Sequence, residues 1–421
     1  MKMVFKITEA ARSQRRWRWL PATGLALGLM GCGTTPGEMT LVKVGEDPTD
    51  IPLRAAGEDL VARFLEGDAT FDAVYREADG LGPNYIRPSC ASCHEGAGKG
   101  PGSVQKMSLV EKDGVTPEAD QSGLAWGHTA RPFFAGGATM PLAPPTGRMD
   151  LKQTFRVGIA VFGRGYIEAI DDREIERVEA EQAKRSDGIH GKINRVAFAS
   201  EANPDQRFHQ HKPGDMGLIG RFGHKARIAT LDEFAADAAQ GDMSITSPMR
   251  PAELSNPGGH TDDFKPNVDI SIEVINELAD YMRLLEMPRR RTPPANGPAL
   301  FEAALCSACH VPSMKTRADH PFAPLANIDA QIFSDLLLHD MGPTLADGLV
   351  DGQATSRQWK TAPLIGLRHF RNFLHDGRAL SIDEAIRMHG GDGSEAKQSI
   401  ERYQSMTEAD RATLVDYVST L

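Results

Sequence analysis

Two pentapeptides of the form Cys-X-X-Cys-His occur in this chain of 421 residues, at Cys90–His94 and at Cys306–His310. This spacing is typical of c-type haem attachment, in which two thiols bond to the porphyrin and the adjacent histidine ligates the iron. A dithiol redox site or a zinc site would explain each cysteine pair, but not the histidine directly after both pairs. The sequence therefore predicts two covalently bound haems c, one on Cys90, Cys93 and His94 and one on Cys306, Cys309 and His310.

The fifth cysteine, Cys32, follows a segment typical of an export signal. Lysine and arginine are frequent over residues 2–18, and the apolar run over 20–30 is too short to span a bilayer. The residues before Cys32 resemble a bacterial lipoprotein box, which predicts a signal peptide over 1–31 and a lipid anchor on Cys32. The alternative is an ordinary secretory signal cleaved nearby. Both interpretations predict a periplasmic or cell-envelope protein, and the first predicts attachment to the membrane.

Composition narrows the class of protein further. The chain contains 41 Gly and 27 Pro, which predicts many loops around a large cofactor. Its net charge of −10 argues against nucleic acid as a partner. An acidic surface could steer a basic redox partner, although a surplus of charge is more often a solvated surface.

Proline, glycine and charge patterns divide the chain. The predicted fold is mainly α and loop-rich, with two cytochrome c-like haem domains. A helix is predicted over 270–285 from its apolar spacing, and a final helix from its cap at Thr407. The predicted segments are a tether over 33–54, an N-terminal haem c domain over 55–286, a linker over 287–298 and a C-terminal cytochrome c-like haem domain over 299–421.

Four further segments carry a resemblance to a known family. They are Gly80–Cys90, Gly220–Ala226, Ser334–Gly342 and Phe373–Arg378. From about residue 55 to the C-terminus, the chain resembles the di-haem oxidoreductases, which are related to the bacterial di-haem cytochrome c peroxidases and to MauG. The resemblance implies an enzyme in which hydrogen peroxide or another oxidant reacts at one haem and the second haem relays electrons. It implies a small cytochrome or cupredoxin as electron donor. The alternative function is a di-haem electron carrier in which both irons are closed.

The resemblance also indicates a sixth ligand for the second iron. In the relatives a His-Asp-Gly segment, which begins here at His375, precedes this ligand, and the ligand aligns with His389. Helix geometry agrees, because Ser381 can cap a helix that turns His389 toward an apolar face and Met388 away from it. We predict His375 in the cofactor site and His389 on the iron. A histidine of the ordinary core is the alternative for His389.

For the first haem, the resemblance implies an acid above the reactive iron. The segment from Thr230 to Phe234 leads to Asp242-Met243, so Asp242 is the predicted acid, with Glu168 as the second candidate. Such a carboxylate moves a proton between the two oxygens of peroxide. An aspartate before methionine can also be a routine turn residue.

Three expectations for the same region remain open at this point. The resting ligand of the first iron is His190, His128 or no side chain. The relatives carry a tryptophan between the haems near Phe222 and His224, where this chain has none, so one of these two residues serves or the relay lacks an aromatic. The resemblance also implies calcium between the haems, at sites that match loosely here: Asn194, Thr361 and Pro363.

Overall fold

Short helices joined by long loops make up most of the structure, a computed structural model that describes residues 49–99, 102–135, 140–259 and 267–421. The helices are Glu58–Asp72 (α1), Arg164–Ala169 (α2), Asp172–Gln182 (α3), Leu231–Met243 (α4), Ile272–Leu284 (α5), Gly297–Ala303 (α6), Ile382–Met388 (α7), Lys397–Ser405 (α8) and Glu408–Ser419 (α9). The helix-rich, loop-rich character agrees with the prediction. The predicted signal peptide, Cys32 and most of the tether lie outside the described residues.

The strands are short and form antiparallel pairs. They are Asn84–Tyr85 (β1), Ser103–Leu109 (β2), Phe133–Phe134 (β3), Leu151–Val157 (β4), Arg195–Val196 (β5), Leu218–Ile219 (β6), Met314–Lys315 (β7), Asp329–Ala330 (β8), Leu338–Asp340 (β9) and Gln358–Lys360 (β10). The pairs are β1–β3, β2–β4, β5–β6, β7–β8 and β9–β10. Only β2 and β4 extend over seven residues, and the short pairs join loop segments that are distant in sequence, such as β1 with β3, rather than build a larger sheet.

Capping and apolar spacing explain the helices that the sequence predicts. Helix α5 lies within the predicted range and buries Ile275 and Leu278. Helix α9 begins after Thr407, whose hydroxyl accepts a hydrogen bond from the Asp410 amide at 3.1 Å. Ser381 caps α7 in the same way, through the Glu384 amide at 3.1 Å. Within the described ranges, no helix is both long enough and apolar enough to cross a membrane.

Two main apolar clusters lie inside one compact unit, and a third, minor one packs around β2. The larger cluster packs α1 against α5, with Tyr281 of α5 close to the rings of Phe64 and Phe71. It also takes in residues that follow the second Cys-X-X-Cys-His pentapeptide, among them Met314, Phe322, Leu325, Ile332, Leu336 and Leu337. The smaller cluster joins α6, α8 and α9. The predicted division at 287–298 stays a prediction.

Candidate functional site

The first attachment motif, Cys90–His94, is a tight turn. The carbonyl of Cys90 accepts hydrogen bonds from the amides of both Cys93 and His94, each at 3.0 Å. The ring of His94 lies against the end of β4, where a Cβ on Gly158 would be 2.9 Å from His94 Cε1. The absence of a side chain at Gly158 therefore allows the backbone to approach this ring closely. Burial lowers the pKa of His94 to about 4.

The second attachment motif, Cys306–His310, folds in the same way. The carbonyl of Cys306 accepts the amide of His310 at 2.9 Å and the amide of Cys309 at 3.4 Å. His310 Nδ1 lies 3.1 Å from the carbonyl oxygen of Phe333. Burial, and then the charge of His389, lower the pKa of His310 to about 4. The two imidazoles therefore interact electrostatically.

The state of the thiols distinguishes between the interpretations of these motifs. Burial raises the pKa of Cys90 and Cys306 to about 12 and that of Cys93 to about 11. The thiolate is the form that attacks disulfides and binds metals, so thiols with these pKa values are poorly suited to dithiol redox chemistry or to zinc. Thiols consumed in thioether bonds need no such activation.

The histidines present the donor atoms that a haem iron requires. Nδ1 of His310 lies against a backbone carbonyl, and so do Nδ1 of His94, 3.4 Å from the Gly98 oxygen, and Nδ1 of His389, 2.7 Å from the Ala385 oxygen. A hydrogen bond at one ring nitrogen leaves the other free to ligate metal and fixes the tautomer. The residues of both motifs therefore fit haem.

His389 ends α7, and its surroundings agree with the helix-face prediction. Ile382 and Ile386 of α7 pack against the smaller apolar cluster, and so does Cys306 of the second motif. The Ser394 hydroxyl donates to the His389 carbonyl at 2.6 Å, which holds the end of the helix. Among the described residues that pack against the smaller apolar cluster, Met388 is not included. Ligation of iron by His389 stays a prediction.

Asp242, at the end of α4, lies beside the first attachment motif. Its carbonyl accepts the amide of Ile86 at 2.7 Å, in the segment that leads to Cys90. Its carboxylate contributes to the raised pKa of both Cys90 and Cys93. Burial raises the pKa of Asp242 itself. Sequence motif and tertiary structure thus bring the same carboxylate to the first motif.

Cations surround this carboxylate. The charges of Lys106, Arg227 and Arg131 lower the pKa of Asp242 and partly offset its burial, while Asp237 acts in the opposite direction. Arg131 also donates from Nε to the carbonyl of Gly241 at 3.1 Å, which fixes the end of α4. The site can therefore stabilise negative charge as well as move a proton.

Glu168, the second candidate acid, has a different environment. Arg283 Nε lies 2.6 Å from Glu168 Oε2, and the amide of Leu231 donates to Glu168 Oε1 at 2.8 Å. Burial acts to raise the pKa of Glu168, but the ion pair with Arg283 outweighs it and the pKa is lowered. These contacts tie α2, α4 and α5 together and indicate a structural role.

The two histidines proposed as resting ligands of the first iron lie elsewhere. The amide of His190 donates to Glu395 Oε2 at 3.0 Å, and a Cβ on the adjacent Gly191 would be 2.7 Å from the ring of His339. His339 belongs to the surroundings of the second motif, so these contacts do not support His190 as a ligand of the first iron. His128 is exposed, with Nδ1 2.9 Å from the carbonyl of Met107 in β2.

A buried charge network next to the second motif was not anticipated from the sequence. His339 Nε2 lies 2.9 Å from Asp335, and its Nδ1 lies 2.8 Å from Glu395 and 3.8 Å from the sulfur of Cys309. Burial alone would lower the pKa of His339, but the anionic neighbours raise it well above its usual value. Cys309, Asp335 and His339 could hold a metal ion, but a thioether bond at Cys309 removes its thiolate.

A tryptophan from a distant strand lies close to His224. Trp359 of β10 stacks on His375 with ring centroids 3.8 Å apart, and its edge faces His224 at 6.3 Å. His224 Nε2 in turn lies 2.9 Å from the carbonyl of Val157, next to the glycine that contacts His94. No local pattern marked Trp359, because tertiary folding alone brings it to His224.

The residues considered for calcium are engaged with protein. The side-chain amide of Asn194 donates to the carbonyls of Lys225 and Asp351, and its oxygen accepts the amide of Gln353. The carbonyl of Thr361 accepts the hydroxyl of Ser334 at 2.7 Å. Among the described contacts, none indicates an ion shared by Asn194, Thr361 and Pro363. Calcium stays a prediction from the resemblance alone.

Comparison with known proteins gives a family and two similar structures. The chain is similar to hydrazine synthase from Kuenenia stuttgartiensis, with 13% identity, coverage of 95% of this chain and 100% of that chain, and a TM-score of 0.37. It is also similar to the diheme peroxidase BthA from Burkholderia thailandensis, with 15% identity, coverage of 89% and 88%, and a TM-score of 0.39. No curated protein matches the chain.

The family match includes the second attachment motif, Asp242 and His389. The model described as "Di-haem oxidoreductase, putative peroxidase" matches residues 146–421, more than half of the chain, and the first attachment motif precedes this range. The chain therefore belongs to this di-haem oxidoreductase family and is an oxidoreductase enzyme that uses haem.

Proposed function

We propose that this protein reduces hydrogen peroxide at the haem of the first attachment motif, with electrons relayed by the haem of the second. The observation that carries the proposal is Asp242, a half-buried carboxylate beside Cys90 and Cys93 with a raised pKa. A peroxide-reducing haem needs such a group, and a pure electron carrier does not. Membership of the family supports the same function.

In this proposal His94 would ligate the first iron, while His310 and His389 would ligate the second. When bound, the haems supply the electrons that cleave the peroxide bond. Reduction of one peroxide to two waters consumes two electrons and two protons. Asp242 accepts a proton from one peroxide oxygen and delivers it to the other, and Lys106 and Arg131 favour the negative charge that develops there.

The relay between the haems runs through Trp359 in this proposal. Trp359 stacks on His375 and contacts His224. His224 contacts the carbonyl of Val157, and the next residue, Gly158, lies against His94. Toward the second motif, the path continues from Trp359 to Thr361, two residues later, whose carbonyl accepts the hydroxyl of Ser334. The residue after Ser334, Asp335, donates its amide to the Cys309 carbonyl at 2.9 Å. This connected path supports an aromatic relay from a strand that the family resemblance does not indicate.

The alternative is a di-haem electron-transfer cytochrome with two closed irons. Closing the first iron requires a protein ligand, and the contacts of His190 next to the second motif weaken the strongest candidate. We further propose a periplasmic or cell-envelope location, an anchor at Cys32, and a small cytochrome or cupredoxin as electron donor.

Two covalent haems per chain are expected. Purified protein should give two haems per polypeptide in a pyridine haemochrome assay, and acid acetone should extract neither, because thioether bonds survive this treatment. Replacing both Cys306 and Cys309 with Ala should remove one haem. One haem per chain in the unchanged protein, or haem that is extracted, contradicts the proposal.

Replacing His389 should change the second haem, and replacing its neighbour should not. His389→Met should raise the midpoint potential of that haem, because thioether ligation raises it relative to imidazole. Met388→Leu is the matched control and should leave potential and absorbance unchanged. Loss of the low-spin signal in the Leu variant, with retention in the Met variant, would reverse the assignment.

Asp242→Asn should lower peroxide turnover by about 10²–10⁴-fold, the usual contribution of general acid–base catalysis. The measurement is oxidation of a reduced small cytochrome, with the second haem reduced beforehand and haem content as the folding control. A decrease of less than about threefold would make Asp242 a turn residue.

Glu168→Gln provides the contrast for the other carboxylate. It breaks the pair with Arg283 and should cost about 3–5 kcal/mol of stability, while turnover per folded haem changes little.

Removing the aromatic ring of Trp359 should slow electron transfer between the haems. After the second haem is reduced, peroxide is mixed in a stopped-flow instrument, and the loss of its reduced absorbance band is followed. Trp359→Leu should slow this loss, whereas Trp126→Leu, at a tryptophan 43% exposed, should leave it unchanged. Equal rates in the two variants would exclude Trp359 from the relay.

A further inference from the structure

Two of the buried cations in the described part of the chain, Arg164 and Lys360, form no ion pair with a carboxylate. Arg164, in α2, is 6% exposed, and its Nε donates to the carbonyl of Ala160 at 2.8 Å. Among the described residues, no group accepts a hydrogen bond from its buried Nη1. Lys360, in β10, is also 6% exposed, and its ammonium group makes no described hydrogen bond.

Most other buried cations among the described residues pair with a carboxylate, although Arg131 donates to a backbone carbonyl instead. Arg283 bonds to Glu168 and Asp280, and Arg156 bonds to Asp347 and Asp351. An unpaired charge in a protein interior is strongly unfavourable, because no solvent or counter-charge replaces its hydration. The contrast indicates that the anion for Arg164 and Lys360 comes from outside the polypeptide.

Asp335, a carboxylate that acts on Lys360, already accepts other hydrogen bonds. Asp335 acts electrostatically on Lys360, but one of its oxygens accepts the amide of Leu337 and the other accepts hydrogen bonds from His339 and Gln182. Asp335 therefore cannot serve as a dedicated partner of the lysine.

Arg164 and Lys360 both connect to the segment 157–160, which lies against His94. Burial, followed by the charge of Arg164, lowers the pKa of Lys360 to about 7, and Arg164 also lowers the pKa of His94. The amide of Lys360 donates to the carbonyl of His224, whose ring contacts the residue before Gly158. Two cations of like charge in this position would attract one anion in common.

We propose that Arg164 and Lys360 form a binding site for the carboxylate of a haem propionate. Haem carries two such carboxylates, and a bidentate arginine with a lysine matches their geometry and charge. The pair then couples the position of the cofactor to α2 and β10, which come from distant parts of the chain. The inference rests on the two haems of the proposed function but not on peroxide turnover.

The test is spectroelectrochemical titration of holoprotein in which Lys360→Met and Arg164→Met are compared with the unchanged chain. Removing a cation near a haem makes reduction less favourable, so at least one midpoint potential should fall in each variant. The propionate bending band in the resonance Raman spectrum should shift as well. Lys192→Met, at an exposed lysine, is the matched control and should change neither.

Lys360→Arg and Arg164→Lys keep the charges and should retain most of the original midpoint potential. These variants keep the proposal testable if the Met variants fail to fold. Unchanged potentials and Raman bands in both Met variants would overturn the proposal. A soluble anion as the ligand would instead make the potential depend on the buffer anion without a Raman shift, which also overturns it. Absence of turnover in the unchanged protein refutes the peroxidase function alone, since potentials are measured independently.

Discussion

The structure depends on a turn that is formed twice, in which one cysteine carbonyl receives the amide of the histidine four residues later. This bond fixes the two thiols and the imidazole of each motif relative to one another before any long-range contact is made. The rest of the fold then has to bring backbone close to the imidazole. Gly158 does so for His94, and the carbonyl of Phe333 does so for His310. Each motif is therefore completed by a segment far away in sequence.

Charge is distributed around the two motifs in different ways. Next to the first motif, a half-buried carboxylate faces several cations, an arrangement suited to holding and moving a proton. Next to the second motif, the ring of His339 lies between Asp335 and Glu395, with one ring nitrogen against each carboxylate. These carboxylates are engaged by the histidine. The contrast agrees with chemistry at one haem and electron transfer at the other.

The features that could be predicted from the sequence are those that residues close together in the chain determine. The pentapeptides, the Thr407 and Ser381 caps and the apolar spacing of α5 act over one or two turns, so sequence alone was sufficient for them. The position of Asp242 followed from a family motif. Most strands have only two or three residues and no alternation that a sequence could reveal.

The features of the site that the sequence did not reveal have a common physical cause. Trp359, Arg164 and Lys360 reach the site only through tertiary packing, and each looks like an ordinary residue in its own segment. His190 is next to Gly191, whose close contact with His339 directs this segment to the second motif. No local pattern in the sequence predicts the contact between Gly191 and His339.

The composition of the larger apolar cluster has a consequence for biogenesis. The segment with the first motif packs in a core that also needs Met314, Phe322 and Leu336, which are synthesised more than two hundred residues later. A growing chain presents its N-terminal part first, so this core cannot close while the first motif emerges. The packing around Cys90 and Cys93 is therefore completed late. If haem c is attached as proposed, attachment before this core closes would reach thiols that are half-buried in the folded protein.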